Sequence, residues 1–381
     1  MTVRGSLRPP TAAGAGGRRP PPRRGARLAG GALAAVAALM ISAGPAAADP
    51  PQPTDYRSSI TSVDPDPEGI DVRIVGGDAF LELEVDEGHE AVVQGYGEEP
   101  YLRFLADGTV ERNRRSEATY LNEDRQGAVS LPDAADNAAE PEWEVVADDG
   151  TYAWHDHRIH WMGGTAPPGA EPGKVVQEWT VDLTVDGTPV AVAGELVMAE
   201  GVSPLPWIAL GVVGAALVVV LGRRAPGMTV VVSGIAVAAG ALGALVAGWG
   251  EYTVAPGGAG ANPLLVGIPM VGLAAAVAGL VLRRRTAGPT LILAAAAAVI
   301  GWGLLRAEVL WTPVLPTDLP AALDRGLTAL ALGLAVSAAG LIVWSGGLLA
   351  RPPSPAATDP AASTEGTGAT DPAGATDSAR H

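Results

Sequence analysis

Two patterns divide the chain. From position 205 onward, apolar residues run in long stretches without a charge: 205–222, 227–250, 264–282, 287–305 and 326–350 contain no Asp, Glu, Lys, Arg or His. Each is long enough at the helical rise to cross a hydrocarbon core of about 30 Å, so the pattern predicts five membrane-spanning helices. Pro269, inside the third, is expected to kink it. Between 58 and 203 the apolar positions instead recur in short alternating runs broken by Gly and Asp. Asp71–Val75 and Phe80–Val85 flank Gly76-Gly77-Asp78, Tyr101–Leu105 and Thr109–Glu111 flank Asp107-Gly108, and Val175–Val185 and Pro189–Val197 flank Asp186-Gly187. Alternation around such turns predicts β-hairpins, and their succession predicts an antiparallel, sandwich-like all-β domain. Residues 121–149 read as one long irregular segment. The fold class is therefore mixed: an all-β domain followed by an all-α five-helix membrane domain.

The first 48 residues follow a different logic. Seven arginines and no acid occupy 1–27, an apolar run spans Leu28 to Ala43, and Ala46-Ala47-Ala48 precedes Asp49. This is the order of a secretory signal with a small-residue cleavage site, the alternative being an uncleaved anchor. Residues 49–57 are Pro-rich and read as a linker. The tail 351–381, built of Pro, Ala, Thr, Ser, Gly and Asp, is expected to be disordered.

Charge orients this plan. Arg223-Arg224, Arg283-Arg284-Arg285 and Arg351 follow the first, third and fifth stretches, whereas 251–263 and 306–325 hold only Arg306 and Arg325. An excess of arginine marks cytoplasmic turns, so the β domain is expected outside the cytoplasm and the tail inside. Trp207, Trp249, Trp302 and Trp311 fall where an outer aromatic belt would lie. The 381 residues carry a net charge of −16 and no Cys, and residues 49–203 alone hold 33 acidic against nine basic residues. Such an acidic domain argues against nucleic acid as a partner, and the absence of Cys excludes disulfides and thiolate chemistry.

One segment concentrates candidate chemistry. Trp154-His155-Asp156-His157-Arg158-Ile159-His160-Trp161-Met162 holds three of the five histidines. Neutral imidazoles ligate copper or zinc, and Met162 adds a soft thioether donor, so His155, His157, His160 and Met162 are candidate metal ligands. On a strand His155 and His157 would share a face, and His160 would join them only if the strand ended near Ile159. The competing reading makes Asp156, Arg158 and the histidines a hydrogen-bonded network that fixes a loop between Trp154 and Trp161. Arg112, Arg114 and Arg115 form a second cluster, suited either to clamping an anion or to neutralising nearby acids. No G-x-S-x-G, H-E-x-x-H or complete phosphate-binding loop occurs, so no catalytic residue is assigned and the chain reads as a non-enzyme.

Tyr101-Leu102-Arg103-Phe104, Asp107-Gly108, Asn113, Ala118-Thr119-Tyr120-Leu121-Asn122 and Arg125, followed by the Trp154–Met162 string, together resemble a group of uncharacterised actinobacterial membrane proteins. In these an exported β domain precedes several membrane helices. The resemblance implies that arrangement and carries no activity. The region around Gly76-Gly77-Asp78 is also similar to periplasmic copper-resistance sandwiches, although Asp49 stands where their first histidine would be. The expected function is a membrane-anchored binding or accessory protein of the cell envelope, with copper or zinc held by the histidines. The alternative is a structural or signalling partner of another membrane protein, with the Trp/His segment as a network docked on the loops that carry Glu251, Glu308, Asp318, Asp324 and Arg325 and the bundle meeting that protein. The lipid bilayer is the one partner common to both.

Overall fold

A computed structural model describes residues 49–163, 165–255 and 260–346. The expected signal sequence and the C-terminal tail lie outside the described residues. Ten strands come first: β1 (Tyr56–Asp64), β2 (Ile70–Val75), β3 (Phe80–Val85), β4 (Ala91–Gln94), β5 (Pro100–Phe104), β6 (Val110–Asn113), β7 (Trp143–Ala147), β8 (Thr151–Trp154), β9 (Val175–Val185) and β10 (Thr188–Met198). One short helix, α1 (Ala118–Leu121), interrupts them.

The strands form two antiparallel sheets, one ordered β1-β10-β9-β4-β5-β6-β7 and one ordered β2-β3-β8. The β9–β10 hairpin turns at Asp186 (φ 49°) and Gly187 (φ 78°). Two consecutive left-handed residues give the turn whose twist matches that of the strands it joins. In β9, Trp179, Val181, Leu183 and Val185 are buried while Glu178, Thr180 and Asp182 are exposed. This period of two turns one face inward. There it meets Leu81, Leu83, Val85 and Trp154 of the smaller sheet in a single apolar core, so the β domain is a sandwich. The other face of the small sheet buries Phe80 with Ala79 and Ala153.

The irregular segment expected over 121–149 is shorter than that. β7 lies within it and extends the large sheet beside β6. The strand was hidden because its exposed Val145 and intermediate Val146 obey no clean alternation.

Five helices follow: α2 (Leu205–Arg224), α3 (Thr229–Tyr252), α4 (Leu264–Val281), α5 (Ala287–Leu305) and α6 (Ala321–Trp344). All are long and apolar enough to cross a membrane. α4 continues through Pro269 from Leu264 to Val281. Ala and Gly allow the helices to approach closely. A Cβ on Gly333 of α6 would fall 2.1 Å from the Gly211 carbonyl oxygen of α2, and one on Gly240 of α3 would fall 3.3 Å from the Ala331 carbonyl oxygen. Two expectations need correction. α6 starts five residues before the uncharged run and takes Asp324 and Arg325 into its first turns, because Pro320 sits at the helix start. Trp302 is not a belt residue: it is 1% exposed and its Nε1 donates to the Leu265 carbonyl (2.9 Å), whereas Trp249 and Trp311 are about half exposed.

The β domain is fastened to the bundle. Thr54 and Val314 form an antiparallel bridge, and the turn between β2 and β3 lies against the same loop. Gly77 (φ 87°) adopts a left-handed conformation, and a Cβ there would fall 2.4 Å from Val314 Cγ1. Glycine thus serves both the turn and the approach.

Candidate functional site

The Trp/His segment leaves the sheet immediately. β8 ends at Trp154, so His155, His157 and His160 lie in a loop and strand alternation does not order them. The loop is built around Asp156, which is fully buried. Its carboxylate accepts from Arg158 Nε (2.8 Å), Arg158 Nη2 (2.7 Å), the Arg158 amide (3.0 Å) and Trp154 Nε1 (2.8 Å). Burial alone would raise the Asp156 carboxyl, but the Arg158 charge and the hydrogen bonds from Arg158 and Trp154 together outweigh it and hold the group below the ordinary carboxylate value. Arg158 also lies over the Tyr96 ring and donates to the Gln94 carbonyl (3.2 Å), while its own carbonyl accepts from Gln177 Nε2 (2.7 Å). Tyr96 completes the frame: its hydroxyl donates to Asn122 and accepts from the His157 amide (2.9 Å).

Each histidine ring reaches a backbone carbonyl. His155 Nδ1 lies 2.5 Å from the Ala79 oxygen and Nε2 lies 2.9 Å from the Asp49 oxygen, with the ring stacked on Phe80. His157 Nε2 meets the Asp124 carbonyl at 3.1 Å, and His160 Nε2 meets the next one, Arg125, at 2.7 Å. His155 and His160 are fully buried. Burial lowers the pKa of both rings, and for His160 burial and the neighbouring Arg125 charge bring it to about 3. Both are therefore neutral at ordinary pH. In neutral His160, with Nε2 donating, Nδ1 is a buried lone pair with no hydrogen-bond partner.

The four candidate metal ligands separate into two sets. Both His155 nitrogens face carbonyls, and the neutral ring donates to only one of them. His157 and His160 meet edge to face, 5.4 Å between ring centres. Met162 lies near His157 across Gly127, where an added Cβ would fall 2.9 Å from His157 Cε1 and 3.6 Å from Met162 Cε. Among the described residues no three His, Cys, Asp or Glu side chains form a group that could hold a metal ion. Trp161 donates through Nε1 to the Thr165 carbonyl (2.7 Å) and closes the segment's far end. His89, the remaining histidine of this domain, stands apart and pairs with Asp186 (2.7 Å).

The arginines of the second cluster face acids. Arg112 meets Glu144 (3.4 Å), and Arg114 (3.1 Å) and Arg115 (3.2 Å) both meet Glu142. Their guanidinium groups thus neutralise acids of β7 and of the loop leading into it.

Two further groups are defined by pairings that the sequence does not announce. Asp78, fully buried in the β2–β3 turn, pairs with Arg125 Nη2 (2.8 Å) and accepts from the Thr54 hydroxyl (3.3 Å). Burial raises its carboxyl, and Arg125 only partly opposes this. Because the Arg125 carbonyl also receives His160, Asp78 ties the histidine loop to the strap that carries Thr54. The second group lies at the lobe end of the helices. Arg306 binds Glu251 of α3 (2.6 Å) and Asp324 of α6 (3.2 Å), and Arg325 donates to the carbonyls of Val309 (3.0 Å), Thr312 (2.7 Å) and Pro313 (3.0 Å). A helix start read one turn earlier, from Pro320, would have put Asp324 and Arg325 inside the bundle.

Compared with protein-family models, curated proteins and solved structures, the chain matches none of them.

Proposed function

We propose that this chain is a membrane-anchored accessory protein of the cell envelope, whose acidic β lobe stands on the extracytoplasmic end of the bundle and serves another membrane protein. The Trp/His segment is its structural latch. The observation that supports this reading is the destination of the histidine rings: they face carbonyls at four separate places, Asp49, Ala79, Asp124 and Arg125, with neutral His155 facing two and donating to one of them. A buried polar group so partnered fixes one loop arrangement and is costly to disturb. The outward orientation is supported by the signal-like start and by the arginine turns after α2 and α4, at the ends of those helices away from Leu205 and Leu264.

The test has two arms. Protease added to intact cells is expected to degrade the lobe, and a reporter fused after Ala350 is expected to be active only inside; a protected lobe overturns the orientation. In purified full-length protein, a strong chelator is expected to leave the thermal midpoint unchanged while His155→Ala lowers it. A chelator that lowers the parent's midpoint overturns the latch.

A specific observation supports a second reading, binding of copper or zinc. The unpartnered Nδ1 of His160, the adjacent His157 ring and the thioether of Met162 would be its donors, with His155 left out. Titration with cuprous and zinc ions, comparing the parent with a His157→Ala/His160→Ala form, tests it. Equal binding by both forms removes this reading.

A further inference from the structure

Between the β2–β3 turn and the loops at the lobe end of the helices lies a cavity of about 550 Å3. Arg73, Gly77 and Glu82 line it from the lobe, and Thr253, Thr317 and Asp318 line it from the bundle. That volume lies within the range of small-molecule sites, about 300–1,000 Å3, and is far more than a bare ion fills.

Its charges are unbalanced. The Arg73 guanidinium is bound to the buried Glu82 carboxylate. The Asp318 carboxylate accepts from the Thr253 hydroxyl (2.8 Å), and its amide donates to the Gly250 carbonyl (3.0 Å). Among the described residues no cation pairs with Asp318. Arg73 is thus taken up by Glu82, and Asp318 stands as an uncompensated negative charge in the cleft, beside a strongly acidic lobe whose summed field favours a cation. Thr253 and Thr317 add hydroxyls that can orient a ligand's polar body.

We infer that this cavity binds a small organic ammonium group, with Asp318 as its counter-ion. The inference rests on the reading of the chain as a membrane-anchored accessory protein and names what its junction recognises. The ammonium could be carried by a free amine or by the headgroup of an aminophospholipid, because Thr253 directly follows α3, a helix long and apolar enough to cross a membrane. Neither the latch nor a histidine-bound metal is involved.

Calorimetric titration of the full-length protein in detergent with ethanolamine, and with acetate of matched ionic strength, tests the inference. Ethanolamine is expected to bind and acetate is not. Asp318→Asn, at an exposed position, is expected to fold normally and to weaken ethanolamine about tenfold. Arg73→Gln is expected to tighten it, because it removes the competing cation. The same titration in nanodiscs separates the sources. Loss of ethanolamine binding in phosphatidylethanolamine, with retention in phosphatidylglycerol, assigns a lipid headgroup; retention in both assigns a free amine. Absence of ethanolamine binding in every preparation, equal binding of acetate, or an Asp318→Asn form indistinguishable from the parent overturns the inference. Because no arm depends on which side of the membrane the lobe occupies, failure here leaves the orientation reading to its own protease test.

Discussion

Thr54 and Val314 exchange both backbone hydrogen bonds: the Thr54 amide donates to the Val314 carbonyl at 3.0 Å, and the Val314 amide donates to the Thr54 carbonyl at 3.1 Å. These residues are far apart in the chain, one before the first strand and the other before the last helix. The same threonine donates its hydroxyl to Asp78, and the loop carrying Val314 is gripped by Arg325 through the carbonyls of Val309, Thr312 and Pro313. A continuous line of polar contacts therefore runs from His160, through Arg125, Asp78 and Thr54, to the lobe end of α6.

Breaking the ion pair inside the latch is expected to be costly. Replacing Arg158 with Met leaves the fully buried Asp156 carboxylate without its cation, and loss of one partner from such a pair costs about 3–5 kcal/mol. Chemical denaturation of the full-length protein, followed by tryptophan fluorescence, reads this loss. Asp156→Asn with Arg158→Met, which removes both charges, is expected to be less damaging than Arg158→Met alone. The reverse order would show that the two residues do not act as a pair.

Acid is expected to loosen the lobe. His160 has a folded-state pKa of about 3 against 6.5 for a free imidazole. The unfolded chain therefore takes up a proton below 6.5 that the folded chain refuses, so stability is lost as pH falls from 6.5 towards 3. At 1.36 kcal/mol per unit the loss from this residue is about 2 kcal/mol by pH 5. His155 acts in the same direction. Asp78 acts in the opposite one: its carboxyl is raised, so the folded state gains from binding that proton as pH falls. His160→Gln is expected to flatten the dependence of the thermal midpoint between pH 7 and pH 5. An unchanged slope would remove His160 as its source.

In the bundle, small residues set the spacing. A side chain at Gly333 would run into the Gly211 backbone, whereas nothing lies within 4 Å of the Cβ position at Gly301. Gly333→Val is expected to separate α2 from α6 and sharply lower the yield of folded protein. Gly301→Ala is expected to be neutral or mildly stabilising, as alanine favours helix over glycine. Size-exclusion profiles in detergent distinguish the two, and equal behaviour would refute close packing at this crossing.

Arg306 is expected to be the most sensitive charge in the helical part. It is 5% exposed and serves both Glu251 and Asp324. Arg306→Gln would leave two carboxylates with no cation, at a cost of several kcal/mol by the same reasoning as for Arg158. Adding Glu251→Gln and Asp324→Asn is expected to recover part of it. If the triple form melts no higher than the single one, charge is not the cause.

Much of this architecture is legible in the residues, because the signals are local. Asp186-Gly187 specifies its hairpin through the left-handed turn that Gly supplies, and uncharged runs specify the helices by length. What escaped depends on distant partners. Nothing near Trp302 says that its ring faces the Leu265 carbonyl rather than lipid. Nothing near Asp78 announces Arg125, and the short, partly exposed β7 is defined by its pairing with β6. The candidate site was found by composition, since three histidines in six residues stand out. Their arrangement was not, because the strand ends at Trp154 and the rings answer to carbonyls contributed by the strap, the start of β3 and the 124–125 loop.

The bridge at Thr54 has a geometric consequence. The lobe is joined to the bundle where the chain comes in, at Thr54, and again where it goes out, at Leu205. A body held at one point can swivel; held at two, it keeps only a hinge about the line between them, and the β2–β3 turn seated on Val314 obstructs that remaining freedom. The tilt of the sandwich is thus inherited from the helices, and whatever meets its acidic face meets it at a fixed angle and height.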